Sequence, residues 1–572
     1  MSKETNLTVT AVRNRLEEFS VKPDGRLALG SSDNRQKDVL MAGSCFLLVF
    51  IVNLIWFSID HRFPTMDEAG HIMSSFTGRE LLLHFRPWQH QWWHHVLTIS
   101  PFYPPVIYMI NGAFLLVLGQ SRLVEHIYMA FFSGLLIVST YVLTRSLKGS
   151  PLAAVTAGLF LSSYPLISWL GHTYFLDMPA AAMAALSLVV LLWWRRSSKP
   201  TMARTLLTGV AIGIACLSKQ LVAFYVIPAG LYFLACDLVG AIQSSLGKLA
   251  QSESINWLKH TLLLGVVTMN VGLPFIIANY QFNVDHVHTN TQAFASQHEN
   301  LAYLGRLATY CHLVPLVMSP ILLITTSLMS LFSLKAKEYR NLLPVIISAA
   351  AGVCLLSFIP SEGQDSRYLA PFLIAAAILS GVSIQKLFSS TSRLMKMAGV
   401  MIICLVASKN LFYNFAPYPV PIPQPTWFAQ WNEHEGNPVR YQDWGHSLVI
   451  DTINKLDRGK LVYLNILPNH EELHINAFQL LLREQGIVSI LPTGSRPWTI
   501  VGDRVDFDPA TAWRFHYYLL KTGYSGFRFY DRASALEYAK LTRYIRSEGP
   551  YNLVASKALP DGSELLLYRR NF

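Results

Sequence analysis

The sequence is poor in charged residues. Only 14% of its 572 residues are Asp, Glu, Lys or Arg, whereas 52% are hydrophobic and the mean hydropathy is +0.32. Soluble domains usually carry about 25% charged residues, so the composition predicts a protein embedded in a bilayer. The net charge of +11 fits this class, because polytopic proteins collect Lys and Arg on their cytoplasmic loops. No basic stripe or nucleic-acid motif is present, and we expect no nucleic-acid partner.

Two further kinds of motif are missing. The six cysteines all fall inside apolar runs without C-x-x-C spacing, which excludes a disulfide framework and says little about the compartment. No G-x-G-x-x-G follows a strand-like segment, so a nucleotide-binding fold is not expected. No internal repeat is evident. What the sequence does contain is a series of long apolar runs, followed by a more polar tail.

The apolar runs predict a transmembrane domain over residues 39–413. Residues 1–38 are polar and lack the small-residue cleavage site of a signal peptide, so we expect a cytoplasmic N-terminal segment. The run at 39–59 can span, since about 20 residues cross the hydrocarbon, and it is interpreted as an uncleaved anchor. Ten further runs bring the expected number of transmembrane helices to eleven. They lie at 122–144, 151–171, 177–194, 203–218, 221–239, 260–280, 308–332, 342–359, 367–386 and 395–413.

One more apolar run, at 102–119, decides the topology. If it spans, the basic loops that follow change sides relative to the basic N-terminus. If it lies along the interface, as its Pro104-Pro105 start favours, those loops all face the cytoplasm, as the positive-inside tendency requires. We therefore expect a first outer loop at 60–121 with juxtamembrane helices, a cytoplasmic N-terminus and an outer C-terminus. Because no ER retention signal ends the chain, a bacterial inner membrane is favoured.

The tail predicts a small α/β domain outside the membrane. Proline recurs at every second position from Pro417 to Pro425, so residues 414–427 are interpreted as an extended linker. Residues 428–572 are more polar. Strands are expected at 460–467 and 488–492, an amphipathic helix between them at 471–486, and a hairpin turning at 560–562.

The predicted topology gathers polar residues from distant loops at the outer face. The first loop contains the stretch FPTMDEAGH (63–71), in which Asp67 and Glu68 adjoin. A solvated loop would explain the pair in a generic protein. The nearby stretch FRPWQHQWWHH (85–95) suits the headgroup layer, and its histidines match no metal-ligand spacing, so they are interpreted as interfacial polar groups.

Three other outer positions are candidates for chemistry. Asp177 opens an apolar helix, where it is either an N-cap or a functional carboxylate at the membrane boundary. Lys219 lies between two apolar runs, where it either snorkels or offers a cation to a phosphate. Arg367 and Tyr368 open a later span, and the same two interpretations apply to Arg367, whose side chain suits bidentate phosphate contact.

The order of these motifs resembles the C-type (GT-C) membrane glycosyltransferase superfamily, in the branch of protein O-mannosyltransferases and aminoarabinose transferases. The resemblance covers residues 39–413, and Tyr103 and His172 depart from the residues often found in the family. The matching motifs are MDEAG (66–70), YPPVIY (103–108), YFLDMP (174–179), GIACLSKQ (213–220) and RYLAPF (367–372).

The resemblance implies an inverting transfer of a sugar from a polyprenyl-phosphate donor to an extracytoplasmic acceptor, a lipid, glycan or protein hydroxyl. It gives Asp67 the role of general base, with Glu68 and Asp177 as further catalytic carboxylates. The donor phosphate is then expected to meet Lys219, Arg367 and Tyr368.

A divalent cation is the one cofactor considered, and otherwise none is expected. Asp67 and Asp177 could hold Mg²⁺ or Mn²⁺ through carboxylate oxygens, and His286 or His288 would suit Zn²⁺. Two rival functions stay open. One is a transporter or flippase-like carrier of a lipid-linked glycan, although carriers place their charges near the bilayer midplane. The other is a membrane scaffold whose outer domain binds cell-wall material, in which Asp67 would be dispensable.

Overall fold

The architecture is given by a computed structural model. It describes residues 32–415 except 101, 246–250, 283, 285–302 and 359–364, and residues 442–571 except 469, 471, 495–497, 502–503, 508–511 and 524–531. His286 and His288 lie outside the described residues. So does most of the expected linker at 414–427, and the domain boundaries drawn from the sequence therefore remain predictions.

The first part of the chain is helical. Its helices are α1 (Ser32–Ile59), α2 (Met66–Leu83), α3 (His90–Leu97), α4 (Val106–Leu118), α5 (Arg122–Ser146), α6 (Pro151–Ser163), α7 (Pro165–Gly171), α8 (Asp177–Arg195), α9 (Met202–Cys216), α10 (Leu221–Ser245), α11 (Gln251–Ala278), α12 (Tyr303–Met318), α13 (Pro320–Ser333), α14 (Ala336–Leu356), α15 (Ala370–Ser389) and α16 (Arg393–Phe415). A 3₁₀ turn, Ser366–Leu369, leads into α15.

Within the described residues, eight helical segments are long and apolar enough to cross a membrane. The pairs α6–α7 and α12–α13 are bent by 77° and 99°, and the number rises to ten if each pair is one crossing. Helix α9 occupies the expected span at 203–218, but its 15 residues reach only about 22 Å, less than the hydrocarbon thickness of about 30 Å. The polytopic helical class is confirmed, whereas the count of eleven stays a prediction.

The bundle is arranged as a membrane protein requires. Helices α5, α8 and α15 are mostly buried, whereas α1, α11 and α16 lie at the periphery with their apolar side chains exposed. Such extensive exposed apolar surface is incompatible with water and fits lipid. The chain is an integral, multi-pass membrane protein.

The ambiguous run at 102–119 forms α4, whose 13 residues are too few to span. It packs against α2 backbone to backbone. A Cβ added at Gly78 would lie 2.5 Å from the Tyr108 carbonyl oxygen, and one added at Gly112 would lie 2.6 Å from the Arg79 amide nitrogen. Helix α2, which carries Asp67, is thus fixed to a second short helix through two glycines.

The tail forms the expected α/β unit. Its elements are α17 (His446–Leu456), β1 (Val462–Ile466), α18 (Ile475–Glu484), β2 (Ile490–Thr493), β3 (Trp498–Val501), β4 (Arg504–Phe507), β5 (Tyr517–Lys521), α19 (Arg532–Arg543), β6 (Tyr551–Ala558) and β7 (Glu564–Arg570). Five strands form one sheet in the order β2-β1-β5-β7-β6, and β3 pairs with β4 separately. Strand β1 is parallel to β2 and β5, whereas β7 is antiparallel to β5 and β6.

Helices cover both faces of the five-stranded sheet. Val462 and Leu464 of β1 pack with Phe478 of α18 on one face, and Tyr518 of β5 packs with Leu541 of α19 on the other. The expected hairpin at 560–562 joins β6 to β7, where Gly562 has φ +79°, a conformation that favours glycine. The C-terminal sheet predicted from the sequence is therefore confirmed.

Candidate functional site

Asp67 lies in the first turn of α2, at one end of the helix bundle. Its side chain is 49% exposed, and its Oδ2 is 3.8 Å from Nη1 of Arg367. Burial among protein groups raises the pKa of Asp67, and the nearby Asp365 and Glu68 carboxylates raise it further, while Arg367 and Lys219 act against them. Asp67 is thus an accessible carboxylate with more affinity for a proton than an ordinary aspartate.

Glu68, its neighbour, has a different environment. Its Oε2 accepts hydrogen bonds from the backbone N–H and the hydroxyl of Thr65, at 2.9 and 2.8 Å, closing the N-terminus of α2. Its Oε1 accepts from the Tyr174 N–H at 2.7 Å and from Arg62 at 3.3 Å. Burial raises the pKa of Glu68, but the Arg62 charge and the bonds from Thr65 and Tyr174 outweigh it and leave the pKa below the ordinary value. Glu68 therefore joins α2 to the turn before α8.

Arg62 strengthens the same connection between α2 and the turn before α8. Its guanidinium reaches Asp60 at 3.1 Å and Glu68 at 3.3 Å, and it also donates to the His172 carbonyl at 2.5 Å. The end of the first span, the acidic pair and the turn before Asp177 are therefore tied by one side chain.

Replacing Glu68 by Gln should destabilise the protein without removing a reacting group. The carboxylate is buried and meets four donors, so its loss should lower the free energy of unfolding by about 1–3 kcal/mol. Because the folded-state pKa is lowered, this stabilisation is present at neutral pH and is lost as the pH falls through that pKa. Thermal unfolding in detergent at pH 7 measures it. Glu80→Gln, at the half-exposed end of α2, is the matched control, and an equal loss in both variants would contradict the role of Glu68.

Asp177 and Lys219 form a buried ion pair. Lys219 Nζ donates to Asp177 Oδ1 at 2.6 Å, and the two side chains are 7% and 1% exposed, respectively. Asp177 is the first residue of α8 and its carboxylate is bound by Lys219, so a side-chain N-cap does not explain it. Lys219 lies in the break between α9 and α10 and does not snorkel to the surface. A buried pair costs several kcal/mol of desolvation per ion, which makes it a functional candidate.

Arg367 lies between the carboxylates of Asp365 and Asp67. Its Nε donates to Asp365 Oδ2 at 2.6 Å, and its backbone N–H donates to Asp365 Oδ1 at 2.9 Å. The guanidinium lies 4.5 Å from the ring centroid of Phe175, in the turn before Asp177. This fixes the side chain in the 3₁₀ turn with Nη1 directed to Asp67.

Aromatic rings complete the cluster. Lys219 Nζ lies 5.1 Å from the Tyr368 ring centroid and 5.6 Å from that of Tyr103, distances at which a cation is attracted to the ring face. Burial, and then the charges of Asp177 and Asp67, raise the pKa of Tyr103 to about 12, so the phenol stays neutral. His71, one turn after Asp67, contacts the Tyr108 hydroxyl at 3.0 Å. Burial and the Lys219 charge lower the pKa of His71 to about 3.

The structure therefore brings together five of the residues proposed from the sequence: Asp67, Asp177, Lys219, Arg367 and Tyr368. Glu68 is adjacent to Asp67, but its carboxylate binds Arg62 and the Tyr174 N–H instead. Sequence reasoning missed Asp365 and His71 as members of the cluster. His71 had a signal, since it follows Asp67 by four residues and so shares its helix face.

The described residues do not form a site suited to a metal ion. No group of three His, Cys, Asp or Glu side chains among them is arranged to hold an ion. The chemistry of the donors also opposes it, because Asp177 is paired with Lys219 and Asp67 faces Arg367.

Two comparisons with known proteins bear on this site. Residues 79–290 match the family model of dolichyl-phosphate-mannose-protein mannosyltransferase. The fold is similar to that of ArnT from Cupriavidus metallidurans bound to undecaprenyl phosphate, with TM-score 0.50 and 14% identity over 92% of this chain and 97% of that one. The chain therefore has a fold similar to that of ArnT, and part of it matches the mannosyltransferase family model. The resemblance predicted from the sequence is confirmed, and both comparisons agree with the predicted enzyme class.

Other solved structures are similar to this chain at lower scores. The apo state of the same ArnT gives TM-score 0.48 at 14% identity, over 92% of this chain and 97% of that one. AglB from Archaeoglobus fulgidus, in complex with an inhibitory peptide and a dolichol-phosphate, gives 0.44 at 12% identity, over 83% and 69%. Comparison with curated protein sequences gave no match.

The family match covers part of the cluster in this chain. Tyr103, Asp177 and Lys219 lie within residues 79–290, whereas Asp67 and Arg367 lie outside them. The roles of the individual residues therefore rest on geometry.

Proposed function

We propose that this protein is a glycosyltransferase that moves a sugar from a polyprenyl-phosphate donor to an acceptor hydroxyl, with inversion, on the extracytoplasmic side of the membrane. One observation carries the proposal: two acid–cation pairs, Asp67–Arg367 and Asp177–Lys219, lie in one cluster at the end of the bundle. Carboxylate and cations in reach of each other are what proton removal and phosphate departure require. The similar fold of ArnT, solved with undecaprenyl phosphate, supports a lipid-linked donor.

Asp67 is the proposed general base. It is half exposed, so an acceptor hydroxyl can reach it, and its raised pKa strengthens it as a proton acceptor. The acceptor oxygen attacks the anomeric carbon as its proton passes to Asp67. The bond between the anomeric carbon and the phosphate oxygen breaks on the opposite side, and polyprenyl phosphate leaves with the electron pair.

Lys219 and Arg367 are the proposed partners of the leaving phosphate. Negative charge grows on the phosphate oxygens as the bond breaks, and fixed cations in a site with little water stabilise it strongly. Asp177 holds the Lys219 ammonium in place, and Asp365 does the same for Arg367. The rings of Tyr103 and Tyr368 beside Lys219 give the donor head an aromatic wall.

The remaining assignments follow from the same proposal. The donor would enter from the outer leaflet, with the N-terminus in the cytoplasm, the C-terminal sheet outside it, and the bacterial inner membrane as the location. A metal requirement would depend on ligands such as His286 and His288, outside the described residues. The sugar and the acceptor are to be found by mass spectrometry of the lipid-linked sugars that accumulate when the protein is deleted.

Reconstitution separates the enzyme from a carrier. In proteoliposomes supplied with a lipid-linked sugar and acceptor, the enzyme should release free polyprenyl phosphate in equal amount to glycosylated acceptor. Both products are measured by mass spectrometry, with protein-free liposomes as the control. Movement of the intact lipid-linked sugar between leaflets without bond breakage would overturn the proposal in favour of a flippase, and neither result would favour a scaffold.

A further inference from the structure

The C-terminal unit, formed by the elements α17 to β7, contacts the first turn of α2, which carries Asp67 and Glu68. The Asn476 side-chain amide, in the first turn of α18, donates a hydrogen bond to the Met66 carbonyl at 3.0 Å. Met66 is the residue immediately before Asp67, and the bond joins residues 410 apart in the chain. A side chain from the last part of the protein thus holds the backbone that carries the proposed base.

Gly70 makes this contact possible. A Cβ at Gly70 would lie 2.9 Å from Asn476 Nδ2, closer than real Cβ contacts come, so any larger residue would push the amide aside. The glycine is not needed for a turn, because it lies inside α2. Its absence of a side chain lets the Asn476 amide reach the Met66 carbonyl.

The rest of α18 lies along α2 as a rigid support. Leu480 is fully buried in the core of the membrane helices, and the Arg483 guanidinium lies 4.6 Å from the Phe76 ring centroid. At the far end, Glu484 accepts from Arg122 Nε at 3.1 Å. In the segment just before α2, Phe63 stacks on the His446 ring with centroids 5.0 Å apart. The C-terminal unit therefore contacts both the first turn of α2 and the segment that leads into it.

The direction of the Asp67 carboxylate depends on that turn. Among the described residues, its one ion pair is with Arg367 at 3.8 Å, too long for a firm hydrogen bond. Because this contact holds the carboxylate only weakly, the backbone of the turn sets the direction of the side chain. We infer that Asn476 is a positioning residue for the proposed base: through the Met66 carbonyl it fixes the first turn of α2 and so the aim of Asp67. This inference rests on the proposed function.

The chain offers a matched pair of variants. Asn476→Ala removes the bond at the Asp67 end of α18, and Glu484→Gln weakens the ion pair at the far end. If α18 is only an attachment, both variants should act alike. If Asn476 positions Asp67, Asn476→Ala should lower kcat about 10- to 100-fold with the donor KM unchanged, because small misplacements of a reacting group have effects of this size. Glu484→Gln should leave both parameters within about twofold, as expected of an exposed pair.

Two additional measurements distinguish positioning from general loosening. Gly70→Ala should reproduce the loss of kcat, and the double variant with Asn476→Ala should be no worse than Asn476→Ala alone, since both act through one contact. Hydrogen exchange of the full-length protein should quicken in the first two turns of α2 for Asn476→Ala, and not for Glu484→Gln. This exchange needs no substrate.

The outcomes are separable. An active wild type with equal kcat in Asn476→Ala and Glu484→Gln would overturn the inference and leave the proposed function standing, as would unchanged exchange in α2. A wild type that transfers no sugar from any polyprenyl-phosphate donor would overturn the proposed function and the inference with it.

Discussion

Asp67→Asn should reduce sugar transfer at least about 100-fold, because general-base catalysis usually contributes 10²- to 10⁴-fold. The amide keeps the shape of the side chain but cannot take the acceptor proton. The measurement is kcat for a purified variant with a polyprenyl-phosphate donor. Donor affinity should change little, because the donor phosphate meets Lys219 and Arg367 rather than Asp67 in the proposed mechanism.

The pH dependence gives this prediction its sharpest form. The raised pKa of Asp67 means that the base is protonated, and inactive, up to a higher pH than an ordinary aspartate. Activity should therefore fall as the pH falls through that pKa, and this limb should be absent from the residual activity of Asp67→Asn. Stability has the opposite sign. With a raised folded-state pKa, ionisation of Asp67 disfavours the folded state as pH rises, so the variant should be no less stable at neutral pH.

Asp365→Asn is the matched control. It removes a carboxylate that touches Arg367 at 2.5 Å and lies in the same cluster, but this carboxylate is not the proposed proton acceptor. It should lower activity through Arg367 while keeping the acid limb of the pH profile. Turnover retained by Asp67→Asn would remove Asp67 from the role of base.

Lys219→Met should both destabilise the protein and abolish useful donor binding. It leaves the Asp177 carboxylate buried without its cation, and breaking a buried pair in this way usually costs about 3–5 kcal/mol. The double variant Asp177→Asn/Lys219→Met removes both charges and should recover most of the stability, since replacing a whole buried pair is often neutral. Thermal unfolding in detergent and donor KM are measured for each variant.

The two effects should separate in the double variant. If Lys219 binds the donor phosphate, the double variant should stay inactive although its stability is recovered, with kcat/KM lower by about 100-fold or more. If the pair only holds α8 to the α9–α10 break, the double variant should regain transfer. Lys219→Arg, which keeps the charge, should retain more activity than Lys219→Met or the double variant.

The sequence predicted the fold class well because its signals are strong and local. Apolar runs of 20 residues have few alternatives to a membrane helix, and the tail alternates strand and helix patterns clearly enough to place β1, α18 and β2 within a few residues. The number of spans is harder to predict from the sequence for a physical reason. Helix α9 is shorter than the bilayer, and α6–α7 and α12–α13 are bent, so hydropathy does not decide how each one crosses.

The candidate site was predictable where charge stands out against an apolar background. Asp177 and Lys219 are isolated charges in long apolar runs, and the structure pairs them. Glu68 could not be distinguished from Asp67 by sequence, because adjacency hides that one side chain closes the helix and the other faces outward. Asn476 carried no signal at all, since its partner is the carbonyl of a residue 410 positions away.

The contact between α18 and α2 also bears on how the protein is made. Translation delivers the membrane helices first, and Asn476 is synthesised 410 residues after Met66. Until the β1-α18-β2 unit folds and docks, the turn that carries Asp67 lacks the hydrogen bond from Asn476. Under the proposed mechanism, a nascent chain without this contact would hold its membrane helices but transfer sugar more slowly, because Asp67 would be misplaced.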